Sequence, residues 1–276
     1  MSIFENIVYG FLSGITEFLP VSSRAHQTLL RYILGEDSRN FLQEFLVHIG
    51  LLLSVIIGCR EFLSCLRREQ RAISATRYKK RRSTDPKSYY DIRLLKTAAF
   101  PLVIGLFLSF VSFRSGNHLM PIIVFLILNG IVLLIADHTQ HGNRDSRTMT
   151  GLDGFVMGVL GALSVFPGIS RTGMISAYAA LRGADFENVI NWTLALGIPA
   201  IIFWVCFDIL GLITIGAGAI SFALFIGYVL AGVSAFFGGY IAISVLKAML
   251  NHAGFSQFAY YSFGVAFLTF IIYLIT

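Results

Sequence analysis

The stretch "TEFLPVSSRAH", residues 16–26, collects one carboxylate, two serines, an arginine and a histidine within a strongly apolar chain. It follows an apolar run, Ile3–Phe18, that stops just before Pro20. Proline lacks the backbone N–H and breaks a helix. The stretch is therefore expected to join the end of one helix to the start of another, with polar groups gathered at the break.

The composition of the 276-residue chain is that of an integral membrane protein. Hydrophobic residues make up 56% of it and charged residues 13%, and the mean hydropathy is +0.75. Water-soluble domains carry about 25% charged residues. Several segments also approach the roughly 20 apolar residues that cross a bilayer core. We predict an all-α polytopic membrane protein.

The formal charge of +6 is concentrated in one segment. Twelve lysines and arginines stand against four acids between Arg60 and Lys96. A basic block between two apolar spans marks a cytoplasmic loop, so we expect loop 59–96 to be cytoplasmic and nucleic acid not to be a partner. The run "RYKKRRSTDPK", residues 77–87, could alternatively bind anionic membrane lipids.

Two kinds of apolar segment alternate along the chain. Six read as simple transmembrane helices, near residues 40–58, 97–113, 119–136, 188–210, 220–246 and 256–275. The other two are interrupted, the first by Pro20 and the second, at 152–181, by Pro167 followed by "GISRTG". Irregular backbone is tolerated at membrane depth only inside protein or along a wet cavity. We therefore expect two re-entrant helix hairpins.

The two breaks are related by an internal repeat. Shifted by 147 residues, "FLPVSSRA" at 18–25 lies over "VFPGISRT" at 165–172. The shift pairs Pro20 with Pro167, Ser23 with Ser170, and Arg24 with Arg171. Each hairpin precedes three spans, an odd number, so the halves 1–150 and 151–276 should have opposite orientations. In such inverted-topology repeats the paired discontinuous helices build the binding site near the midplane.

Orientation follows from the basic loop. If loop 59–96 is cytoplasmic, both termini and the mouth of the first hairpin face outward. We therefore expect a site that opens at the outer face of the membrane.

Ionisable groups inside a membrane break indicate a functional site. Ser23 and His26 are three residues apart on one helical face, a spacing that suits a serine nucleophile and a histidine base if they come within hydrogen-bond reach. Two structural alternatives remain open at this point. Glu17 and Arg24 could form an ion pair that holds the turn, and His26 could be a hydrogen-bonded core histidine.

Both breaks also have the features of an anion site. Serine- and glycine-rich turns that open a helix aim backbone N–H groups at one point, and the Arg171 guanidinium suits bidentate phosphate recognition. Besides Glu17, Ser23 and His26, the residues expected to bind substrate are Ser22, Arg24, Gly168, Ser170, Arg171, Thr172 and Gly173.

Three motifs give the chain a family resemblance: "SGITEFLPVSSRAH" at 13–26, "HIGLLLSV" at 48–55 and "FPGISRTG" at 166–173. Over essentially its whole length the chain resembles the undecaprenyl-diphosphatase family, the bacitracin-resistance type of bacterial membrane phosphatase. The resemblance implies hydrolysis of an undecaprenyl (polyprenyl) diphosphate to its monophosphate, for recycling of the cell-wall lipid carrier. It also implies a bacterial plasma-membrane location with an outward-facing active site, and a divalent cation, Mg²⁺ or Ca²⁺.

The resemblance implies roles for individual residues. Glu17, Ser23 and His26 match the first motif as catalytic residues, and Ser170 and Arg171 match the second. Arg171 would bind the diphosphate, Ser23 or His26 would supply the nucleophile or base, and Glu17 would hold the metal, a hard cation that prefers oxygen ligands. The expected partners are the lipid substrate and membrane lipids, with a homodimer as one candidate assembly.

The chain departs from the family pattern at several positions. Ser13 stands where the family has a glutamate four residues before Glu17, and Arg24 and Ala25 replace a small, uncharged pair. Asn191 and Ser262 stand where a further glutamate and an arginine are usual. Fewer carboxylates predict a weakened cation requirement, and the charge of Arg24 would partly replace the cation.

The alternative function is a non-hydrolytic polyprenyl-phosphate binding protein or flippase. The inverted repeat suits it, because alternating access is built from such repeats. Retention of both Ser23 and His26 favours hydrolysis, since a pure binder needs no nucleophile.

Overall fold

The computed structural model describes residues 1–36, 39–78, 87–109, 119–139, 142–216, 218, 220–249 and 254–275. These residues form eleven α-helices and contain no β-strand. The helices are α1 (Ile3–Phe18), α2 (Ser23–Ile33), α3 (Phe41–Gly58), α4 (Arg60–Tyr78), α5 (Lys87–Leu106), α6 (Leu119–Asp137), α7 (Gly151–Ala162), α8 (Arg171–Leu181), α9 (Phe186–Thr214), α10 (Phe222–Met249) and α11 (Ser256–Ile275).

Five of the described helices, α3, α6, α9, α10 and α11, are long and apolar enough to cross a membrane. Large apolar side chains on their outer faces are exposed, among them Phe237 on α10 and Phe267 on α11. An apolar exterior suits lipid and not water. The chain is a multi-pass, all-helical membrane protein, as its composition predicted.

The predicted span at 97–113 differs from the structure. The helix at this place, α5, begins at Lys87 and ends at Leu106, and its first half carries Asp91, Arg93 and Lys96. The polar first half extends the apolar segment by more than two turns. Residues 110–113 of the predicted span lie outside the described residues.

Within residues 59–96, which we expect to form a cytoplasmic loop between two spans, α4 and the first half of α5 are helical. The sequence of α4 is rich in arginine, glutamate, leucine and alanine, which have high helix propensity. Its apolar residues Phe62 and Leu63 pack against the protein core. Of the basic run 77–87, residues 79–86 lie outside the described residues.

Both proline-containing segments form helix–turn–helix hairpins. The first consists of α1 and α2 with a tip at residues 19–22, and the second of α7, a 3₁₀ turn (Leu163–Val165), a tip at 166–170 and α8. Side-chain caps define their outer ends. Ser2 and Glu5 form a capping box at the start of α1, and Thr150 and Asp153 form another at the start of α7.

The helices pack in reciprocal pairs. The first helix of each hairpin lies against a helix of the other half of the chain, α1 on α10 and α7 on α5, while α3 lies on α9 and α6 on α11. Glycine permits the closest of these approaches. A Cβ atom on Gly10 of α1 would lie 2.0 Å from the carbonyl oxygen of Ala231 on α10. Small residues at such contacts are the usual means of bringing membrane helices together.

The two hairpin tips meet inside this bundle. Ser22 has a φ of +67°, the one positive value at a non-glycine residue in the described chain, and Gly168 has a φ of +114°. The amide of Gly168 donates a hydrogen bond to Ser22 Oγ at 3.0 Å. A side chain on Gly168 would also collide with Phe125, 2.5 Å from the Cβ position. Contact between the tips therefore fixes an unusual backbone conformation on each side.

We predict that Ser22→Ala destabilises the protein more than Ser22→Gly. Both variants leave the buried Gly168 amide without its acceptor, a loss of about 1–3 kcal/mol. Glycine, however, relieves the strain of a positive φ, which is of order 1 kcal/mol. The measurement is thermal unfolding of the detergent-solubilised protein.

Ser64, inside α4, is the matched control, because glycine is worse than alanine within a helix. There the order should reverse, with Ser64→Gly less stable than Ser64→Ala. An equal effect of the two substitutions at position 22 would contradict the assignment of strain to Ser22.

Candidate functional site

Each hairpin tip provides hydrogen-bond partners for backbone groups of the other tip. The carbonyl oxygen of Leu19, at the end of α1, accepts hydrogen bonds from Thr172 Oγ1 at 2.8 Å and from Ser170 Oγ at 3.4 Å. Ser170 also caps α8, because its Oγ accepts from the amide of Gly173 at 3.1 Å. Gly173 has no side chain to hold Pro20 away, and a Cβ there would lie 3.3 Å from Pro20 Cβ. Three predicted positions, Ser170, Thr172 and Gly173, thus serve to join the tips.

Asn129 on α6 connects both tips to the last helix. Its amide nitrogen donates to Pro20 O at 3.0 Å and to Ser262 Oγ at 3.2 Å, and its Oδ1 accepts from the Ser170 amide at 3.0 Å. All four residues lie within the protein, and Asn129 and Ser262 are fully buried. The sequence reasoning did not single out Asn129, although an asparagine inside an apolar span is a signal of an internal partner.

Glu17 and Arg171 form an ion pair between the hairpins, with 3.0 Å between Arg171 Nη1 and Glu17 Oε1. The Arg171 side chain is 5% exposed, and its Nε and Nη2 atoms are buried with no hydrogen-bond partner in the described structure. Its Nη2 lies 3.1 Å from the Cβ position of Gly197 on α9, so a glycine makes room for the guanidinium. Unsatisfied guanidinium donors at the meeting point of two helix breaks are suited to an oxyanion.

Ser23 and His26 lie on α2, but they do not form the hydrogen bond that their spacing suggested. Ser23 Oγ makes one long hydrogen bond, 3.5 Å, to the carbonyl oxygen of Ser13. His26 Nδ1 is 2.8 Å from Ser22 O, and Nε2 is 2.8 Å from the Tyr261 hydroxyl. Because a carbonyl only accepts, Nδ1 carries the proton, and Nε2 of the neutral ring accepts from Tyr261.

Glu17 pairs with Arg171 and forms no ion pair with Arg24, so the alternative of a Glu17–Arg24 pair is wrong. Arg24 Nη1 donates to the carbonyl oxygen of Val165, just before the second tip, at 3.1 Å. Its guanidinium lies 3.8 Å from the ring centroid of Trp204 on α9. Arg24 thus connects the first hairpin to the second hairpin and to α9.

The two helices that begin at the tips differ in capping. Ser170 caps α8, whereas the Ser22 side chain makes no capping bond at the start of α2 and serves Gly168 instead. The first amides of a helix have no intrahelical partner. The start of α2 therefore presents uncapped N–H groups beside Ser23 and adds a second set of anion-binding donors.

The described residues do not provide a dedicated divalent-cation site at the tips. No group of three histidine, cysteine, aspartate or glutamate side chains in the described chain could hold a metal ion. The predicted metal ligand, Glu17, is paired with Arg171. The position four residues earlier holds Ser13, whose Oγ donates to Tyr9 O and accepts from Gln27 Nε2. The site's charge comes mainly from guanidinium groups.

A network of buried ionisable residues beside α2 was not predicted. Arg31 binds Tyr9 and Glu44, while Arg39 binds Asp208 at 2.7 Å. His48 Nδ1 lies 2.6 Å from the other oxygen of Asp208. These groups lie in or next to apolar spans. Because a charge in lipid is costly, ionisable residues inside apolar segments indicate buried partners, and this signal could have revealed the network from the sequence.

Comparison of the sequence with known proteins identifies a family. The profile of the family described as "Bacitracin resistance protein BacA" matches residues 6–268. The chain is 28% identical to the undecaprenyl-diphosphatase of Alkaliphilus metalliredigens over 96% of both chains. It is 30% identical to undecaprenyl-diphosphatase 4 of Bacillus thuringiensis subsp. konkukian, over 97% of this chain and 96% of the relative.

A third relative gives the same result. The chain is 28% identical to the undecaprenyl-diphosphatase of Treponema denticola over 95% of this chain and 94% of the relative. The matched region includes both hairpin tips and all but the first residues of α1. The family resemblance seen in the three sequence motifs is thereby confirmed: this chain belongs to the BacA family.

Proposed function

We propose that this chain is an undecaprenyl-diphosphate phosphatase, which cleaves a polyprenyl diphosphate to its monophosphate in lipid-carrier recycling. The observation that carries the proposal is the Arg171–Glu17 pair, whose guanidinium has two buried, unpartnered nitrogens. The shared name of the curated relatives favours this enzyme over a non-hydrolytic carrier or flippase.

Binding of the diphosphate is assigned to three groups. Arg171 receives one phosphate through Nε and Nη2, the uncapped amides of α2 add hydrogen bonds, and Glu17 holds the guanidinium in place. Phosphoryl transfer depends mainly on positioning and on stabilisation of charge. Ser22, Ser170, Thr172, Gly168 and Gly173 contribute by fixing the tips against each other.

Catalysis is assigned to Ser23 and His26, the two groups on α2. The Ser23 hydroxyl, which makes only one long contact, attacks the terminal phosphorus. The bond to the bridging oxygen then breaks, and the polyprenyl monophosphate leaves. His26 acts as the base through Nε2 once the Tyr261 hydroxyl has moved aside, and water subsequently releases the phosphate from the serine.

The topology proposed for this activity has six transmembrane helices and two re-entrant hairpins in an inverted repeat, divided at residues 150 and 151. The reciprocal packing of α1 on α10 and of α7 on α5 supports it. The basic helix α4 supports a cytoplasmic location for residues 59–96. The site then opens toward the outer face of a bacterial plasma membrane. The homodimer stays a prediction.

We predict that Arg171→Ala abolishes phosphate release from undecaprenyl diphosphate. Loss of a donor to the transition-state oxyanion reduces kcat by roughly 10²–10³-fold. Arg171→Lys should restore only part of the activity, because an ammonium cannot form the bidentate contact. Ser23→Ala should remove the nucleophile and leave background release. The exposed Arg147, replaced by alanine, is the control for loss of a positive charge. Full activity of Arg171→Ala would overturn the proposal.

His26→Ala and Tyr261→Phe distinguish a base from a structural histidine. His26→Ala should lower kcat by roughly 10²–10⁴-fold, whereas Tyr261→Phe should keep most of the activity because it only frees Nε2. The measurement is kcat over a range of pH. Equal losses in the two variants would show that His26 serves only to hold Tyr261.

Ser13→Glu is predicted to raise the affinity for Mg²⁺. The new carboxylate lies one turn from Glu17 on the same helical face, and two carboxylates hold a hard cation better than one. Calorimetric titration of the full-length protein with Mg²⁺ measures the affinity directly. Ser13→Gln, similar in size but uncharged, is the control. Equal Mg²⁺ affinity in the two variants would show that the missing carboxylate does not explain a weak metal response.

A further inference from the structure

Arg24 has no carboxylate within ion-pair distance among the described residues, although Glu17, Glu44 and Asp208 act on its charge from further away. The arginines around it are paired, Arg31 with Glu44 and Arg39 with Asp208. Arg24 forms no ion pair within the described chain, and its hydrogen bond goes to the neutral carbonyl of Val165. Holding a guanidinium in a half-buried position without a directly paired carboxylate costs free energy, which the counter-charge of a ligand would offset.

The guanidinium of Arg24 is held in a defined place. It lies over the Trp204 ring, and such stacking orients a guanidinium while leaving its edge free to bind. Trp204 is 6% exposed and stacks in turn on His48, with 6.3 Å between ring centroids. His48 is fixed by Asp208, and Asp208 by Arg39. The buried network found beside α2 thus supports the platform on which Arg24 rests.

Arg24 and Arg171 are aligned along one face of α9. Arg171 lies against Gly197 and Arg24 against Trp204, seven residues further along the helix. Seven residues are close to two turns, so the two contact points share a face and are about 10 Å apart along the axis. A ligand that engaged both guanidiniums would have to carry two anionic groups.

We propose that Arg24, seated on Trp204, is the second anion-binding group of the site and takes one phosphate of a diphosphate while Arg171 takes the other. The inference rests on the proposed function for the identity of the substrate. It goes further, because diphosphate binding then needs no divalent cation in this chain. Trp204 is a positioning residue, which acts through Arg24.

The test is binding of methylenediphosphonate, which cannot be hydrolysed at its P–C–P bond, to the full-length protein in detergent with EDTA. Wild-type protein should bind it equally with and without EDTA. Arg24→Gln should weaken binding roughly 10- to 100-fold, the effect of losing a charge-assisted contact. Arg147→Gln, the same change at an exposed site, should have no effect. Unchanged binding by Arg24→Gln, or loss of wild-type binding in EDTA, would overturn the inference.

Inorganic phosphate, the second probe, distinguishes a bridged diphosphate from a separate phosphate site. Because Arg171 can hold a single phosphate, Arg24→Gln should change phosphate binding much less than diphosphonate binding. Equal weakening for both probes would refute bridging.

Two more variants separate a loss of binding from a loss of folding. Trp204→Leu removes the platform without removing charge and should weaken diphosphonate binding, whereas Arg24→Lys should fall between wild type and Arg24→Gln. Thermal unfolding of each variant shows that it is folded. Trp204→Leu binding as tightly as wild type would remove Trp204 from the proposal. Since no turnover is measured, absence of hydrolysis would refute the proposed function and leave this result standing.

Discussion

The structure depends on one constraint, that the backbone exposed at two broken helices must find partners inside the protein. A break at membrane depth leaves carbonyl and amide groups where water is scarce. Here each break supplies what the other lacks. The Leu19 carbonyl is satisfied from the second tip, and the Gly168 amide is satisfied by Ser22 of the first. The same contacts that solve this problem bring Arg171 to Glu17 and so create the candidate site.

Much of this arrangement could be predicted from particular residues. Pro20 and Pro167 located both breaks, and α1 has the predicted boundaries. The 147-residue shift identified the two segments that meet. The amphipathic helix α4 was missed because positive charge was taken as a sign of a loop, although its residues are good helix formers. Charge indicates which side of a membrane a segment occupies, and not its secondary structure.

The site was predicted less completely than the fold, for a physical reason. Spacing along a helix shows which residues share a face, but hydrogen bonds depend on neighbours that are distant in sequence. Ser23 and His26 share a face, yet His26 Nε2 is hydrogen-bonded to Tyr261, which is 235 residues further on in the chain. Similarly, the sequence allowed Arg24 to pair with Glu17, but in the structure its guanidinium lies over the Trp204 ring of α9. A single sequence does not show which distant segments contact each other, and these contacts determine the partners of the site residues.

Asn129 has a consequence for how the protein is made. The Pro20 carbonyl finds its partner 109 residues later in the chain, and the Leu19 carbonyl finds Thr172 after 153 residues. During synthesis the first hairpin therefore enters the membrane long before the groups that complete it exist. Until α8 has been inserted, its tip must remain hydrated or sheltered by other proteins. The first half alone is thus an incomplete unit, and the two halves must mature together.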